Sequence, residues 1–174
     1  VLLAQEAPFV DVRSDGALAL VTETGDTKTL HAPIRLTARA DGLHVDGRRI
    51  MGGHVLIRPL RSNLTLTIGN EGGASAGTPL PISGTVRVSR KARGLAVVNQ
   101  VDLEEYVKGV VPSEVSSAWH PEMLKVQAVA ARTYALYNKM LSAVREYDVM
   151  ATIQDQVYRG RTGVDHRVEE AVES

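Results

Sequence analysis

The strongest constraint on the fold is a helix signal in the middle of the chain. Asp102 and Glu105 form a capping box, in which each side chain can satisfy a free amide of the first helical turn. We therefore expect a helix to begin at Leu103. Gly109 and Pro112 are expected to end it, because glycine is a poor helix former and proline removes a backbone donor. The first helix is predicted to be short.

A longer helix is predicted to follow, with Pro121 at its first position, where the missing N–H would have no helical partner. The apolar residues of this helix recur at three- and four-residue spacings on two faces. A helix that is apolar nearly all round is usually buried, so we expect it to lie inside the domain. One face comprises Met123, Val126, Ala130, Tyr137, Met140, Leu141 and Val144, and the other comprises Leu124, Ala128, Ala131 and Ala135.

Two cations, Lys125 and Arg132, interrupt the apolar character of the long helix. They share a stripe of the helix and lie about 10 Å apart along its axis. Such a pair either points into a polar cavity or lies on a narrow solvent face. The residues by themselves favour the solvent face.

The rest of the chain is dominated by strand signals, and the fold class predicted is α+β. Short apolar or alternating runs are separated by Asp-Gly and Gly-Gly pairs, which supply the backbone conformation of tight hairpin turns. Residues 1–82 are predicted to form a β-rich module with a Gly-, Ala- and Pro-rich linker near its end, and residues 83–174 a second domain. Strands are predicted at 9–13, 17–22, 34–38, 43–45, 54–60, 64–68, 84–90, 95–101 and 154–158, and a last helix capped by Asp165 is expected to bury Val168, Ala171 and Val172.

Composition excludes several function classes. The chain has no cysteine, which removes disulfides, thiolate nucleophiles and cysteine-based zinc sites, and its five histidines show no close metal-ligand spacing, so no metal is predicted. Residues 1–100 carry twelve Lys and Arg against eight Asp and Glu, and residues 101–174 carry eight against twelve. This asymmetry is small and the basic half has a single aromatic residue, so no nucleic-acid partner is predicted.

Glu114 is the candidate general acid. It follows an apolar run two residues after Pro112. Shielding by Val110, Val111 and Trp119 would disfavour its charged form, as an acid working near neutral pH requires. The alternative, favoured by the residues alone, is a surface carboxylate near a helix start.

Four strings in the second half of the chain identify a family. Between residues 86 and 172 they occur in the order YVKGVVPSEV, WHPE, LKVQAVAARTYAL and QVYRG. In this combination the sequence resembles the SpoIID/LytB family, named for stage II sporulation protein D and an amidase enhancer. The first eighty or so residues match only in general character. The resemblance also implies further strand and a Ser/Gly-rich segment beyond residue 174, in the same domain.

The resemblance implies an enzyme of the bacterial cell wall, a peptidoglycan lytic transglycosylase without a cofactor. Glu114 occupies the position of the family's proposed catalytic acid. It would cleave the bond between N-acetylmuramic acid and N-acetylglucosamine, then act as base and leave a 1,6-anhydro sugar. The location implied is extracytoplasmic. The apolar start of the chain, VLLA, would fit the end of a signal or membrane anchor upstream.

The predicted substrate-binding residues are those that match the family's motifs. Lys125 and Arg132 would form a cavity wall beneath Glu114, with structural ion pairing, for instance to Glu114, as the alternative. Amide and phenol groups suit sugar recognition but can equally satisfy buried backbone groups, and a lone Trp can stack on a sugar or plug the core. The remaining members of the set are Gln127, Gln156, Tyr158 and Trp119.

Two other functions stay open at this stage. A conventional hydrolase would pair Glu114 with a second carboxylate such as Glu122, Asp148 or Asp155. A non-catalytic enhancer would instead bind cell-wall glycan or a partner amidase, as the second half of the family name implies. The joint presence of Glu114, Lys125 and Arg132 favours catalysis.

Overall fold

The structure, a computed structural model, describes residues 1–60, 64–69, 78–142 and 144–174. Its fold is α+β, as predicted, with the strands first and the helices after them. The strands are β1 (Leu2–Ala7), β2 (Phe9–Arg13), β3 (Ala17–Thr22), β4 (Thr27–His31), β5 (Ile34–Arg39), β6 (Gly42–Val45), β7 (Arg48–Ile50), β8 (His54–Pro59), β9 (Leu64–Gly69), β10 (Leu80–Ile82), β11 (Thr85–Lys91) and β12 (Gly94–Gln100). The helices are α1 (Leu103–Glu114), α2 (Pro121–Leu141) and α3 (His166–Glu173).

The strands form two antiparallel sheets that share one core. The first has the order β1-β12-β11-β8-β3-β4 and the second β10-β9-β2-β5-β6-β7. In several strands alternate residues face the other sheet, as period-two sequences require. Buried pairs of this kind are Val10 and Val12 in β2, Val55 and Ile57 in β8, Leu64 and Leu66 in β9, and Val86 and Val88 in β11.

The predicted boundary at residues 82 and 83 falls inside this sandwich. Strand β11 pairs with β8 on one side and with β12 on the other, and β12 also pairs with β1. The two predicted modules therefore share a sheet, and β12 leads directly into α1. The Gly94–Gln100 strand is paired along both edges instead of being left exposed.

Most predicted strands are confirmed to within about one residue at each end, and four strands were missed. β4 is nearly all exposed and polar, so it lacks the alternation that marks a half-buried strand. β7 and β10 have three residues each, and β1 contains the apolar start that resembled the end of a leader. The predicted strand at 154–158 is wrong, because these residues form no sheet. The predicted linker lies largely outside the described residues.

Helix α1 begins as predicted and ends later. Asp102 accepts a hydrogen bond from the Glu104 amide at 2.8 Å, which caps the helix before Leu103. The predicted end at Gly109 and Pro112 is wrong, since the helix continues to Glu114 with Pro112 inside it. Pro112 cannot donate a backbone hydrogen bond to the Lys108 carbonyl, and the helix ends two residues after it.

Helix α2 also begins as predicted, with Pro121 in its first turn and His120 as its N-cap. The prediction that it is buried all round is wrong. Its buried residues are Leu124, Ala128, Ala131 and Ala135, which is one of the two predicted apolar faces. The other face is exposed to solvent; Val126, for example, is 61% exposed and Met140 80%. Its other exposed members are Met123, Tyr137, Leu141 and, beyond the helix end, Val144. Among the described residues, no helix is both long and apolar enough to cross a membrane.

Helix α3 confirms the prediction for the last segment. Asp165 accepts hydrogen bonds from the amides of Arg167 and Val168, at 3.1 and 3.0 Å. Val168, Ala171 and Val172 are buried on its inner side, as predicted. The helix packs against both α1 and α2. The C-terminal half of the chain is thus a three-helix cluster attached to the end of β12.

Candidate active site

Glu114 is the last residue of α1, and its side chain is exposed. The backbone N–H of Val157 donates to its Oε1 atom at 3.2 Å. Its Oε2 atom makes no hydrogen bond to the described residues. The shielding expected from Val110 and Val111 is absent, because those side chains point into the core. The carboxylate of this exposed side chain is therefore held at one oxygen only.

A segment of residues 156–161, which we call the strap, runs antiparallel along α1 and holds Glu114. Val157 contacts Glu114, the Arg159 N–H donates to the Gly109 carbonyl at 3.3 Å, and Arg161 pairs with Glu105 at 2.6 Å. Alternate strap residues thus contact successive turns of α1, from its end towards its start. The QVYRG motif is part of this strap.

Two predicted substrate residues, Gln156 and Tyr158, anchor the strap. The Tyr106 hydroxyl donates to Gln156 Oε1 at 3.1 Å, and the Tyr158 hydroxyl donates to Asn99 Oδ1 at 2.8 Å. The rings of Tyr106 and Tyr158 stack with centroids 5.3 Å apart. Burial raises the pKa of both tyrosines above its usual range. Gln156 and Tyr158 therefore bond to buried side chains, and not to the backbone groups named as the alternative; their role in substrate binding stays a prediction.

Lys125 and Arg132 were predicted to form a cavity wall beneath Glu114. Within the described residues neither side chain contacts Glu114. Arg132 makes a bidentate pair with Glu104 on α1, at 2.8 and 2.5 Å, and also donates to the Val172 carbonyl at 3.0 Å. Lys125 pairs with Glu122 in its own helix at 3.2 Å. The alternative of structural ion pairing is therefore observed, with partners other than Glu114.

Trp119 and Gln127 keep accessible side chains. Trp119 lies on the loop between α1 and α2 and is 50% exposed, so it does not plug the core. This loop is tied to α3, because Arg167 donates to the Trp119 carbonyl at 2.7 Å. A second bond joins the same loop to the N-cap of α3, since Ser117 hydrogen-bonds to Asp165. This bond helps to hold the pKa of the Asp165 carboxyl below its usual range. Gln127 is partly exposed, and its amide has no partner within the described residues.

Each carboxylate considered for a hydrolytic pair is engaged elsewhere. Asp155 accepts from the Tyr134 hydroxyl and the Met150 amide, both at 2.7 Å. Asp148 accepts from the Ser142 hydroxyl at 2.5 Å. Glu122 is the partner of Lys125. These contacts stabilise the loop before the strap and the first turn of α2.

A charged network that the sequence did not predict joins α1, the strap and α3. Glu105 accepts from Ser83, Lys108 and Arg161, and Arg161 also pairs with Glu169. Burial opposes the charge of Glu105, but these donors outweigh it and hold its pKa below the usual range. The one usable signal in the sequence was Arg161, which follows the QVYRG motif directly.

Asn99 was also missed, although the sequence contains a signal for it. It is the fully buried polar residue within the apolar run of β12, and its side chain donates to the carbonyls of Ser83 and Thr85. A buried amide must have partners, so its position in an apolar strand indicates a polar contact from another element. That contact is the Tyr158 hydroxyl.

The fold and site define an α+β protein in which a carboxylate at a helix end is fixed by an antiparallel strap. Comparison with known proteins shows a family resemblance in the C-terminal part of the chain. Residues 91–174, just under half of the chain, match the SpoIID family, described as stage II sporulation protein. This part of the chain is similar to that family.

Three relatives show the extent of the similarity. An uncharacterised protein of Brachyspira hyodysenteriae is 48% identical over 80 residues, which are 45% of this chain and 22% of the relative. The stage II sporulation protein D of Bacillus subtilis is 38% identical over 68 residues, and that of Bacillus amyloliquefaciens is 57% identical over 69, in each case 37% of this chain and 20% of the relative. The matches thus span about a fifth of each relative. No solved structure matched the chain.

Proposed function

We propose that this chain carries the acid-base carboxylate of a peptidoglycan lytic transglycosylase acting outside the cytoplasm, with Glu114 in that role. The observation that carries the proposal is the asymmetric environment of Glu114. The side chain is exposed, one oxygen accepts a backbone hydrogen bond, and the other has no partner among the described residues. A carboxyl group fixed in this way can exchange a proton at a defined position.

The proposed reaction needs one carboxyl group. Protonated Glu114 gives its proton to the oxygen that links N-acetylmuramic acid to N-acetylglucosamine, and the bond breaks through an oxocarbenium-like state. The resulting carboxylate then takes the proton of the muramoyl C6 hydroxyl as that oxygen bonds to C1. The products are a 1,6-anhydro end and a new sugar hydroxyl, and Glu114 is protonated again.

The Val157 amide suits both halves of this cycle. A neutral carboxyl keeps an acceptor oxygen, so Oε1 can retain the Val157 hydrogen bond while Oε2 carries the proton. The strap therefore supports the orientation of the group in either protonation state. The positioning residues in this proposal are those that hold the strap and not the substrate, namely Tyr106, Gln156, Tyr158 and Asn99.

Trp119 supplies the apolar surface that the exposed acid lacks. A sugar ring stacked on a half-exposed indole buries apolar area, and a glycan bound there would displace water from the end of α1. Gln127 and Lys125 are partly exposed polar residues in the first two turns of α2. We assign them, with Trp119, as the glycan-binding set.

The test is mass spectrometry of products from peptide-free glycan strands, using the protein and its Glu114→Gln variant. Anhydro ends formed only with Glu114 intact are expected. Reducing-end sugars would contradict the transglycosylase assignment and require a second carboxylate. Glu170→Gln, on the exposed side of α3, is the matched control and should leave the product pattern unchanged.

The second candidate is a non-catalytic enhancer that binds glycan or a partner amidase. The specific observation in its favour is that Arg132 is engaged by Glu104 and the Val172 carbonyl, while Glu114 is exposed. Glycan binding without cleavage, unchanged in Glu114→Gln, would establish this function. Loss of binding in Trp119→Ala would then locate the surface.

A further inference from the structure

Two hairpin turns of the sandwich meet and enclose a cleft of about 390 Å³. One turn joins β5 to β6 and the other joins β11 to β12. Four of the residues that line the cleft are cationic, namely Arg39, Arg90, Lys91 and Arg93, and none is acidic. We call this site the basic cleft.

Arg90 forms the fixed part of the basic cleft. Its Nε donates to the Arg39 carbonyl at 3.0 Å and its Nη2 to the Ala40 carbonyl at 3.2 Å. These bonds join the two turns and use two of the five N–H donors of the guanidinium. The remaining donors belong to a group whose orientation is already set, which lowers the entropic cost of binding an anion.

The positive charge of the cleft is largely uncompensated. Arg39 and Arg93 are exposed, and within the described residues their side chains make no ion pair. Lys91 is neutralised by Glu146 at 2.7 Å. Asp41, at the rim, lies 3.4 Å from His44. Three guanidinium groups therefore line one cleft, and within the described residues none of them is paired with a carboxylate.

We propose that the basic cleft binds the phosphoryl group of a small phosphorylated polyol or sugar. A carboxylate has two oxygens, which one arginine fork can satisfy, whereas a phosphoryl group presents three or more oxygens to several forks at once. The cleft volume lies in the range of small-ligand sites, about 300–1,000 Å³, and leaves room for the attached polyol. The three guanidinium groups supply more than enough positive charge to balance a phosphoryl group, which carries about −2 at neutral pH.

The basic cleft is separate from the candidate active site. Strand β12 starts at the cleft and ends before α1, and its seven residues span about 20 Å. Glu114 is at the far end of α1 in the sequence, and no residue of α1 or of the strap lines the cleft. The proposal does not depend on the proposed function.

The experiment is calorimetric titration of the full chain with glycerol 3-phosphate at low ionic strength. The double variant Arg39→Gln, Arg93→Gln removes two cations that make no described side-chain bond, so the fold should persist, as circular dichroism would check. We expect binding to weaken at least tenfold. The matched control is Arg13→Gln with Arg58→Gln. It removes the same charge at exposed positions, towards the ends of β2 and β8 that lie away from the cleft, and it should bind glycerol 3-phosphate as the unmodified chain does.

Three results would overturn the proposal. Absence of glycerol 3-phosphate binding would do so directly. An equal loss in the control variant would mean that net charge, and not the cleft, attracts the anion. Equal affinity for glycerate, which has a carboxylate in place of the phosphoryl group, would contradict phosphoryl recognition.

Two further arms identify the source of the phosphoryl group. Inorganic phosphate should bind more weakly than glycerol 3-phosphate, and equal affinity would contradict a role for the polyol. Cosedimentation with phosphatidylglycerol vesicles that is lost in Arg39→Gln, Arg93→Gln would support the cleft and assign a lipid headgroup as its ligand. Binding of glycerol 3-phosphate without cosedimentation would support the cleft and assign a soluble or polymeric phosphate.

Discussion

Gly109 lies so close to Tyr158 that a methyl group on Gly109 would be 2.5 Å from Cε2 of the tyrosine ring and 2.5 Å from the Gly160 carbonyl oxygen. This contact explains a glycine in the middle of α1. The residue does not end the helix. It allows the strap to approach the helix backbone, where the Arg159 amide reaches the Gly109 carbonyl.

Gly109→Ala should destabilise the protein by about 1–3 kcal/mol, the usual cost of overpacking. The expected direction opposes helix propensity, which favours alanine over glycine by about 1 kcal/mol. Urea unfolding followed by circular dichroism would measure the change. Gly53→Ala is the control, because its methyl group would have 3.7 Å to the nearest atom, and it should be neutral or slightly stabilising. A stabilised Gly109→Ala would contradict the strap contact.

Tyr158→Phe should cost about 1–3 kcal/mol of stability. The change leaves Asn99 Oδ1 buried without its donor, and an unsatisfied buried acceptor costs more than the hydrogen bond itself contributes. Tyr137→Phe removes the same hydroxyl from an exposed ring and should shift the unfolding midpoint very little. Equal midpoints for the two variants would mean that Asn99 finds another donor, such as water.

Local signals in the sequence predicted much of the fold. The Asp102 capping box, Pro121 at a helix start and Asp165 as a cap each depend on residues within one turn, and the alternating strands depend on period two. Such signals need no knowledge of distant elements. They failed for β4, which is exposed on both faces and has no alternation to detect.

The candidate site could be predicted only in part, because its contacts are non-local. Spacing placed Lys125 and Arg132 on one stripe, but nothing in the sequence states that Arg132 pairs with Glu104, which lies 28 residues earlier. Exposure is equally non-local. Both apolar faces of α2 have helical spacing, and only the positions of α1 and α3 decide which one is buried.

The Arg132 and Glu104 pair can be tested as a unit. Arg132→Gln and Glu104→Gln should each lower the free energy of unfolding, and the double variant should lose less than the sum of the two. We expect a coupling energy of about 0.5–1 kcal/mol, since both side chains are partly exposed. Additive single effects would mean that the pair contributes nothing. Glycan binding reduced in Arg132→Gln but not in Glu104→Gln would assign Arg132 to the substrate.

Acid should weaken the protein partly through Glu104. The hydrogen bond from Arg132 lowers its pKa below the ordinary 4.5, against the opposing effect of burial. The unfolded chain then binds the proton more readily than the folded one, so the stabilisation is present above about pH 4.5 and is lost as the pH falls below it. Urea unfolding at pH 6 and pH 3 should show a smaller difference for Glu104→Gln than for the unmodified chain. Identical differences would rule out this contribution.

Two neighbouring alanines of α2 differ in exposure, so the same substitution should affect stability very differently at the two positions. Ala131 is fully buried between the helices, whereas Ala130 faces solvent, although the sequence assigns both to apolar faces of a buried helix. Ala131→Lys should destabilise the protein by more than about 3 kcal/mol or prevent folding, because it places a charge in the core. Ala130→Lys makes the same change in the same helix and should alter stability by less than about 0.5 kcal/mol. A large loss in Ala130→Lys would mean that this face of α2 is covered in solution, and the exposed side chains from Met123 to Leu141 would then need a partner.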